Sequence, residues 1–571
     1  MDWAKPSSCV LTLGMLVFAT GSGRFYEIHP NERSAKSLIT LGCSPGSSFK
    51  GKQHGKAAPF PILPGWGKYH YSISSPVDSA RLYFDQGLSL YYSYHPNEAF
   101  SSFEEAAKLD PNSAMAYWGQ ALSSGPYYNG NGYSMPDEVS YLLLAMNARI
   151  HGASEKEKDL LAAMNLRYNP GGDSGHRNKL NYIYADAMRK LVYKYPQDLD
   201  IKALYIDGVM LEHPWDFWFN DGNPKAWTEE LVSLCEEILK NDPMHPGAMH
   251  YYIHLTEASQ HPEIALKDAN LLKEFMPGVP HMVHMASHVY ERTGHFFEGV
   301  EVNDIANQNE DRYDSIENGI SSGQVNHHYL AVQAFCAINA GMLKEGMPKI
   351  FKCRQSVAPS KTNMYSQYLY MFPVLAWVRM GQWQSILNSP APRSDWTYAR
   401  ILEYFAKGLA WLRLNQLDSA KDCARNLKPL MGNKVLTENL IRSNTALQAG
   451  TVAWNILEAE LNTAMGRKDS AIFYYEKAIR AEDALIYFEP KDWLLPARQF
   501  YGASLLNWGE PVRAEKIFKE DLVWNPGNGW SLFGLYQCAI SQHKPQQAAT
   551  YKEQYKFAFR HSDIQPNASV F

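Results

Sequence analysis

The chain has 571 residues, of which 45 % are hydrophobic and 20 % charged, so it is neither a disordered protein nor short enough for one small core. Its 54 Lys and Arg against 59 Asp and Glu give a formal net charge of −5, which argues against a nucleic-acid-binding protein, because such proteins carry excess basic surface. No apolar stretch reaches the roughly 18 residues that a transmembrane helix needs.

The amino-terminal segment 1–43 is predicted to be an export leader. An apolar run at 9–20 follows Lys5, as in a secretory signal peptide. A second, shorter apolar stretch ends at Cys43, which in a bacterial lipoprotein would be the lipidated first residue. We therefore expect an exported, periplasmic protein, with a lipid anchor at Cys43 as one variant and a cytoplasmic protein with a disordered leader as the alternative. Segment 44–75 is rich in Gly, Ser, Lys and Pro and is predicted to be a flexible linker.

A repeat of about 34 residues begins near the amino terminus and returns near the carboxyl terminus. Counted from Ala80, small residues stand at the eighth and twentieth positions, an aromatic at the twenty-fourth and a proline at the thirty-second. Small residues at the first two positions let two helices approach closely, and the proline ends the second helix. The residues in register are Gly87, Ala99, Phe103 and Pro111; Gly408 and Ala420; Ala459, Ala471 and Ala478; and Gly502, Ala514, Phe518 and Pro526.

This spacing resembles that of the tetratricopeptide-repeat (TPR) family. The resemblance implies an all-α, tetratricopeptide-like α-solenoid of antiparallel helix pairs, whose first helices form a concave face. It covers the N-terminal repeats at 76–139 and the C-terminal repeats at 401–560. Segment 140–400 keeps helical periodicity but diverges from the template, and 561–571 is a tail. Strand signals are scarce throughout.

Histidines concentrate in the divergent segment. They lie in HPGAMHYYIHLTE (245–257), in PHMVHMASHVYER (280–292) and at the start of a third helix. Spacings of three and four residues put the histidines of each segment on one helix face. The candidate metal ligands are His250, His254, His281, His284, His288 and His328.

Two imidazoles four residues apart can bind a transition metal, and a facing helix can complete its coordination. We therefore expect the pair His250 and His254 and the pair His284 and His288 to meet at a single ion. We expect a divalent Zn, Cu or Fe ion, with Glu257 and Asp216 as candidate catalytic groups that bind the metal, orient a ligand or act as a base. The arrangement is not the HExxH motif of zinc proteases, because tyrosines follow His250. The alternatives are that each histidine is a packing residue and that HPWDFW (213–218) around Asp216 is an aromatic plug.

Several blocks extend the resemblance to a subgroup of TPR proteins: YFDQGLSLYYSY (83–94), HMVHMASHVYERTG (281–294) and NPGNGWSLFGL (525–535). Members usually carry a histidine three residues before the position of His328, where this chain has Val325. The ligand role of that segment therefore stays open. The subgroup implies an architecture but no reaction.

Arg498 lies at a helix start, just after Pro490 and Pro496. It could clamp a carboxylate or phosphate, or form an inter-repeat salt bridge with Glu489 or Asp492. The seven cysteines contain no CxxC pair, which favours buried free thiols over a disulfide framework.

Two functions follow from these patterns. The first is a metalloprotein, in its enzymatic form a metalloenzyme, whose open coordination position activates water or dioxygen beside a small-molecule pocket walled by the abundant Tyr and Trp. The second is a non-catalytic scaffold that binds a peptide or protein partner in its concave groove, with structural histidines. Neither function involves nucleic acid. Convergence of the imidazole nitrogens distinguishes the two.

Overall fold

Helices dominate the chain. The computed structural model describes residues 59–130, 133–168, 176–317 and 326–571, which contain 26 α-helices, two short 3₁₀ segments and no β-strand longer than an isolated bridge. The predicted leader 1–43, and the predicted linker before residue 59, lie outside the described residues. The prediction of an all-α fold is confirmed.

The amino-terminal third contains eight helices. Pro96 stands in the first turn of the second one, where its missing N–H costs nothing. The helices are α1 Asp78–Tyr92, α2 Pro96–Leu109, α3 Ala114–Ser123, α4 Glu138–Ala148, α5 Glu155–Arg167, α6 Arg177–Lys194, α7 Leu199–Glu212 and α8 Thr228–Asn241.

The middle third contains nine helices, three of which carry the candidate ligands. Pro246 and Pro280 open two of these three, and Gly294, at φ 78°, ends the second in the left-handed conformation that glycine adopts most easily. The helices are α9 Pro246–Thr256, α10 Leu266–Phe275, α11 Pro280–Thr293, α12 Phe296–Glu317, α13 His327–Asn339, α14 Gly346–Gln355, α15 Met364–Tyr370, α16 Phe372–Arg379 and α17 Trp383–Asn388.

The carboxyl-terminal third continues the pattern with nine more helices. They are α18 Thr397–Arg413, α19 Leu417–Leu430, α20 Val435–Glu438, α21 Ala446–Ala464, α22 Lys468–Asp483, α23 Ala497–Asn507, α24 Pro511–Trp524, α25 Gly529–Ser541 and α26 Pro545–Ala558.

Consecutive helices fold back on one another through short turns, as in α1–α2, α11–α12 and α25–α26. Alternate helices also pack together, so that α7, α9, α11 and α13 lie side by side in one layer, as do α18, α21, α23 and α25. This two-layer arrangement is that of a TPR-like helical repeat. It places the three histidine-bearing helices next to one another.

The small residues of the repeat lie where the helices cross. A Cβ added to Gly87 would lie 2.8 Å from the Phe103 ring, and one added to Gly502 would lie 2.5 Å from the Phe518 ring. The eighth and twenty-fourth positions of the repeat therefore meet in the same way near both ends of the chain. The matching positions Ala99, Ala420 and Ala514 are fully buried, as predicted.

The flexible-linker prediction is wrong for residues 59–75. Aromatic side chains of this segment, among them Trp66, Tyr69 and Tyr71, are buried in the core against α1 and its neighbours. The Gly and Pro content suggested a linker, but the apolar side chains between these residues bury enough surface to hold the segment in place. The tail 561–571 is also packed, because the backbone oxygen of Phe571 accepts a hydrogen bond from Arg413 at 2.7 Å.

The described cysteines are free and buried, as the spacing predicted: Cys235, Cys336, Cys353, Cys423 and Cys538. None of the described helices combines the length and the apolar character that crossing a bilayer requires.

Candidate metal centre

Six histidines from α9, α11 and α13 form one buried cluster. Their exposed fractions lie between 0 and 4 %. Asn326 fixes the start of α13, because its side-chain oxygen accepts from the backbone N–H of His328 at 3.1 Å. The cluster includes every predicted metal ligand: His250, His254, His281, His284, His288 and His328.

The first histidine set consists of His250 and His254 from α9 and His281 from α11. One ring nitrogen of each lies within 4.8 Å of the others. The Nε2 atoms of His250 and His281 are 3.1 Å apart, and the His254 Nε2 is buried without a hydrogen-bond partner. These nitrogens are placed to share one ion.

The second histidine set consists of His284 and His288 from α11 and His328 from α13, again with nitrogens within 4.8 Å. The Nε2 of His288 lies 2.9 Å from that of His284 and 3.3 Å from that of His328. Since tetrahedral ligands at metal–nitrogen distances of about 2.0–2.1 Å lie roughly 3.3 Å apart, the spacing is close to that of a coordination shell.

The partition into sets differs from the sequence prediction, in which both i, i+4 pairs met at a single ion. His281 joins the α9 pair, whereas the α11 pair turns toward α13. The two sets are adjacent, because the ring centres of His254 and His288 are 5.6 Å apart. The helical crossing, which the sequence does not encode locally, decides the grouping.

Hydrogen bonds to Nδ1 orient two of the rings. His250 Nδ1 lies 2.6 Å from the backbone oxygen of Tyr92, which can only accept. His284 Nδ1 lies 2.6 Å from Asn303 Oδ1, and the Asn303 amide nitrogen donates to the Gly299 carbonyl, which fixes that oxygen as an acceptor. Both Nδ1 atoms must therefore carry the hydrogen, and each Nε2 presents a lone pair to the cluster.

Glu257 joins the two sets. Its Oε1 lies 3.0 Å from His254 Nδ1 and its Oε2 lies 2.5 Å from His288 Nδ1, so one carboxylate holds a ring of each set. The same three residues are close enough to hold an ion themselves. However, the 3.0 Å contact is an ordinary N–H···O hydrogen bond and the 2.5 Å contact is a short one, so an ion is not needed to explain them.

Burial controls the protonation of the cluster. It lowers the pKa of His250 and of His288 to about 3 and that of His254 to about 4. Burial also raises the pKa of the Glu257 carboxyl, an effect that its contact with His254 opposes. The pKa values of the remaining ligands, His281, His284 and His328, lie well below the usual value for the same reason. At neutral pH the imidazoles are uncharged, which is the form that binds metal.

The contact between His284 and His288 is the most informative one. Each Nδ1 is committed to an acceptor, Asn303 for His284 and Glu257 for His288. When Glu257 is ionised, the Nε2 lone pairs of His284 and His288 therefore face each other at 2.9 Å. Two neutral imidazoles in this arrangement repel, whereas a cation bound by both nitrogens would relieve the repulsion.

Asp216 does not join the cluster. Its carboxylate is about half-exposed and pairs with Lys225 at 3.1 Å, on the outer side of the loop 213–218. His327 is exposed, although its neighbour His328 is a cluster member. Arg498 pairs with both oxygens of Asp483 at 2.6 and 2.8 Å, a salt bridge between repeats rather than a free anion clamp.

Asn303 and the Tyr92 carbonyl are contacts that the sequence did not predict. A backbone carbonyl leaves no signature in the sequence, and Asn303 lies on α12 among other polar residues without a motif of its own.

Comparisons with known proteins give no family assignment. No protein-family model matches the chain, and no curated protein matches it. Similar solved structures include the human IFIT1 dimer with m7Gppp-AAAA, at 11 % identity over 86 % of this chain and 91 % of that chain, with a TM-score of 0.28. The P58(IPK) TPR domain is similar at 11 % identity over 85 % and 99 % (TM-score 0.23), and yeast Tom70 at 11 % over 84 % and 92 % (TM-score 0.25). At these values the similarities carry no functional argument.

Proposed function

We propose that this TPR-like protein binds two divalent transition-metal ions through its buried histidines, one ion in each histidine set. Each ion would have three imidazole ligands bound through Nε2. A three-ligand site leaves one coordination position open, as in catalytic rather than structural metal sites. Neutral imidazoles without a directly coordinating carboxylate favour Zn or Cu over Fe, and over Mg or Ca.

The observation that supports the proposal most strongly is the pair of opposed lone pairs on His284 and His288, 2.9 Å apart. Packing histidines normally pair a donor with an acceptor, which these two Nε2 atoms cannot do while the Glu257 carboxylate is ionised and accepts from His288 Nδ1. The unpartnered Nε2 of His254 gives the first set a matching nitrogen. Buried nitrogens left without a partner are costly unless something else binds them.

Glu257 is a positioning residue in this proposal. Both carboxylate oxygens are engaged by Nδ1 atoms, so it fixes the tautomer of His254 and His288 rather than acting as a free base. Asp216, which lies outside the cluster, has no part in metal binding.

Metal stoichiometry tests the proposal. The full chain, stripped with a chelator and reloaded with Zn²⁺ or Cu²⁺, should hold two ions, and His250→Ala combined with His284→Ala should hold none tightly, because each set loses one of three ligands. The matched control combines His261→Ala with His327→Ala, both of which are exposed. Circular dichroism should show equal helix content for both variants.

A double variant that keeps two tightly bound ions would refute the proposal. So would a wild-type chain that takes up none, and the histidines would then be structural residues of a protein-binding scaffold.

A further inference from the structure

A deep cleft adjoins the first histidine set. It lies between residues 215–220 and residues 482–498 and has about 1050 Å³ of free space, part of which is open to solvent. His254 and Glu257 form part of its wall. A molecule bound in the cleft would therefore lie against the edge of the histidine cluster.

Aromatic rings line the cleft on the side of the cluster. The Tyr128 ring lies between Trp215, at 4.4 Å, and His254, at 5.2 Å, measured between ring centres. Trp215 has a backbone φ of 54°, a left-handed conformation that is unfavourable for a bulky residue and must be held by its surroundings. Trp218 Nε1 donates to the Leu255 carbonyl at 2.7 Å, which fixes the loop against α9. Rigid, flat walls of this kind fit a planar ring.

The cleft contains buried polar atoms without a hydrogen-bond partner, among them the acceptor Asp492 Oδ1. The Trp215 indole N–H and the Tyr487 hydroxyl are buried and have no hydrogen-bond partner in the structure, and both residues line the cleft. An indole N–H can only donate. A ligand that satisfies the indole must therefore bring an acceptor, and the Tyr487 hydroxyl can donate to a second acceptor of the same ligand.

Two basic side chains of the cleft, Arg292 and Lys491, donate hydrogen bonds only to neutral oxygens, and burial lowers the pKa of Lys491 to about 7. Lys491 Nζ donates to the Trp524 carbonyl at 3.0 Å and to Asn525 Oδ1 at 2.6 Å, which leaves one hydrogen free. Arg292 donates to three backbone carbonyls at 2.8–2.9 Å. Among the described residues neither forms an ion pair, whereas Arg498 in the same wall is neutralised by Asp483.

We infer that the cleft binds a small aromatic carboxylate, with its ring against Tyr128 and Trp215 and its carboxylate toward Lys491 and Arg292. The inference rests on the proposed function in one respect, since it makes this molecule the ligand presented to the metal centre. Binding in the cleft itself needs no metal, because the walls and the cations belong to the protein.

Calorimetric titration of the full chain with 2-naphthoate and with uncharged 2-naphthalenemethanol tests the inference. The carboxylate should bind about tenfold more tightly or better, because it alone can pair with the buried cations. Lys491→Met should remove the preference for the carboxylate, and Trp215→Leu should weaken the binding of both compounds about tenfold. The matched controls Lys349→Met and Trp411→Leu, at half-buried positions elsewhere, should bind like the wild type.

Equal affinity of the wild type for the two compounds would overturn the inference, as would equal losses in the controls. If Lys491→Met does not fold, the relative affinity of the wild type for the two compounds still tests the inference. A chain that prefers 2-naphthoate but never takes up metal refutes the proposed function and leaves this inference standing. A chain that holds two ions but does not distinguish the compounds refutes this inference alone.

Discussion

Replacing Glu257 by glutamine should weaken the binding of one of the two metal ions and leave the affinity for the other unchanged. The carboxylate accepts hydrogen bonds from His254 Nδ1 at 3.0 Å and from His288 Nδ1 at 2.5 Å. A glutamine keeps one acceptor oxygen and places an NH₂ group against the other ring. That ring must then carry its hydrogen on Nε2, the nitrogen that faces the ion, and it can no longer coordinate through that atom.

The size of the effect follows from the loss of a single orienting contact. Removal of such a partner from a metal-bound histidine typically costs about 10- to 100-fold in metal affinity, or roughly 1.4–2.7 kcal/mol. Because only one of the two rings loses its acceptor, the glutamine variant should bind one ion with wild-type affinity and the second one more weakly by that factor.

Competition with a chromophoric chelator at neutral pH measures both affinities. The matched control is Glu263→Gln, since Glu263 also contacts a histidine Nδ1, that of His261 at 3.1 Å, but on the exposed surface. Two ions bound with unchanged affinity in Glu257→Gln, or an equal loss in Glu263→Gln, would refute the role assigned to this carboxylate.

Two further predictions concern stability. Gly502→Ala should lower the free energy of unfolding by about 1–3 kcal/mol, because its Cβ would lie 2.5 Å from the Phe518 ring. The control Gly152→Ala, which has open space around the new Cβ, should lower Tm far less. Equal Tm shifts in the two variants would contradict the repeat packing. In the metal-free protein, burial lowers the pKa of His250 and His288 to about 3, so between about pH 6.5 and pH 3 the unfolded chain binds protons that the folded chain does not. Stability should therefore fall with falling pH in that window, by roughly 1.4 kcal/mol per pH unit for each such histidine, and urea unfolding that shows no loss between pH 7 and pH 5 would refute their buried, neutral state.

The repeat could be predicted from the sequence because its determinants are local. Gly87 and Phe103 are separated by less than one repeat, and the same separation relates Gly502 to Phe518. The contact that each pair makes depends only on two helices and one turn. The packing of residues 59–75 was missed because their partners, on α1 and beyond, are distant in sequence.

The histidine cluster was predictable in its members but not in its grouping. Spacings of three and four residues identify histidines that share a helix face, and all six meet in the structure. Whether His281 joins α9 or α13 depends on how three helices cross, which no local pattern specifies. Asp216 was selected for its aromatic neighbours, but these line the cleft while its carboxylate turns outward to Lys225.

Anomalous diffraction from crystals of the Zn²⁺- or Cu²⁺-loaded protein, recorded at the absorption edge of the metal, tests the central claim most directly. We expect two peaks, each about 2.0–2.2 Å from three Nε2 atoms, one in the first histidine set and one in the second. A single peak between His254 Nδ1, His288 Nδ1 and Glu257, or no peak within the cluster, would contradict it.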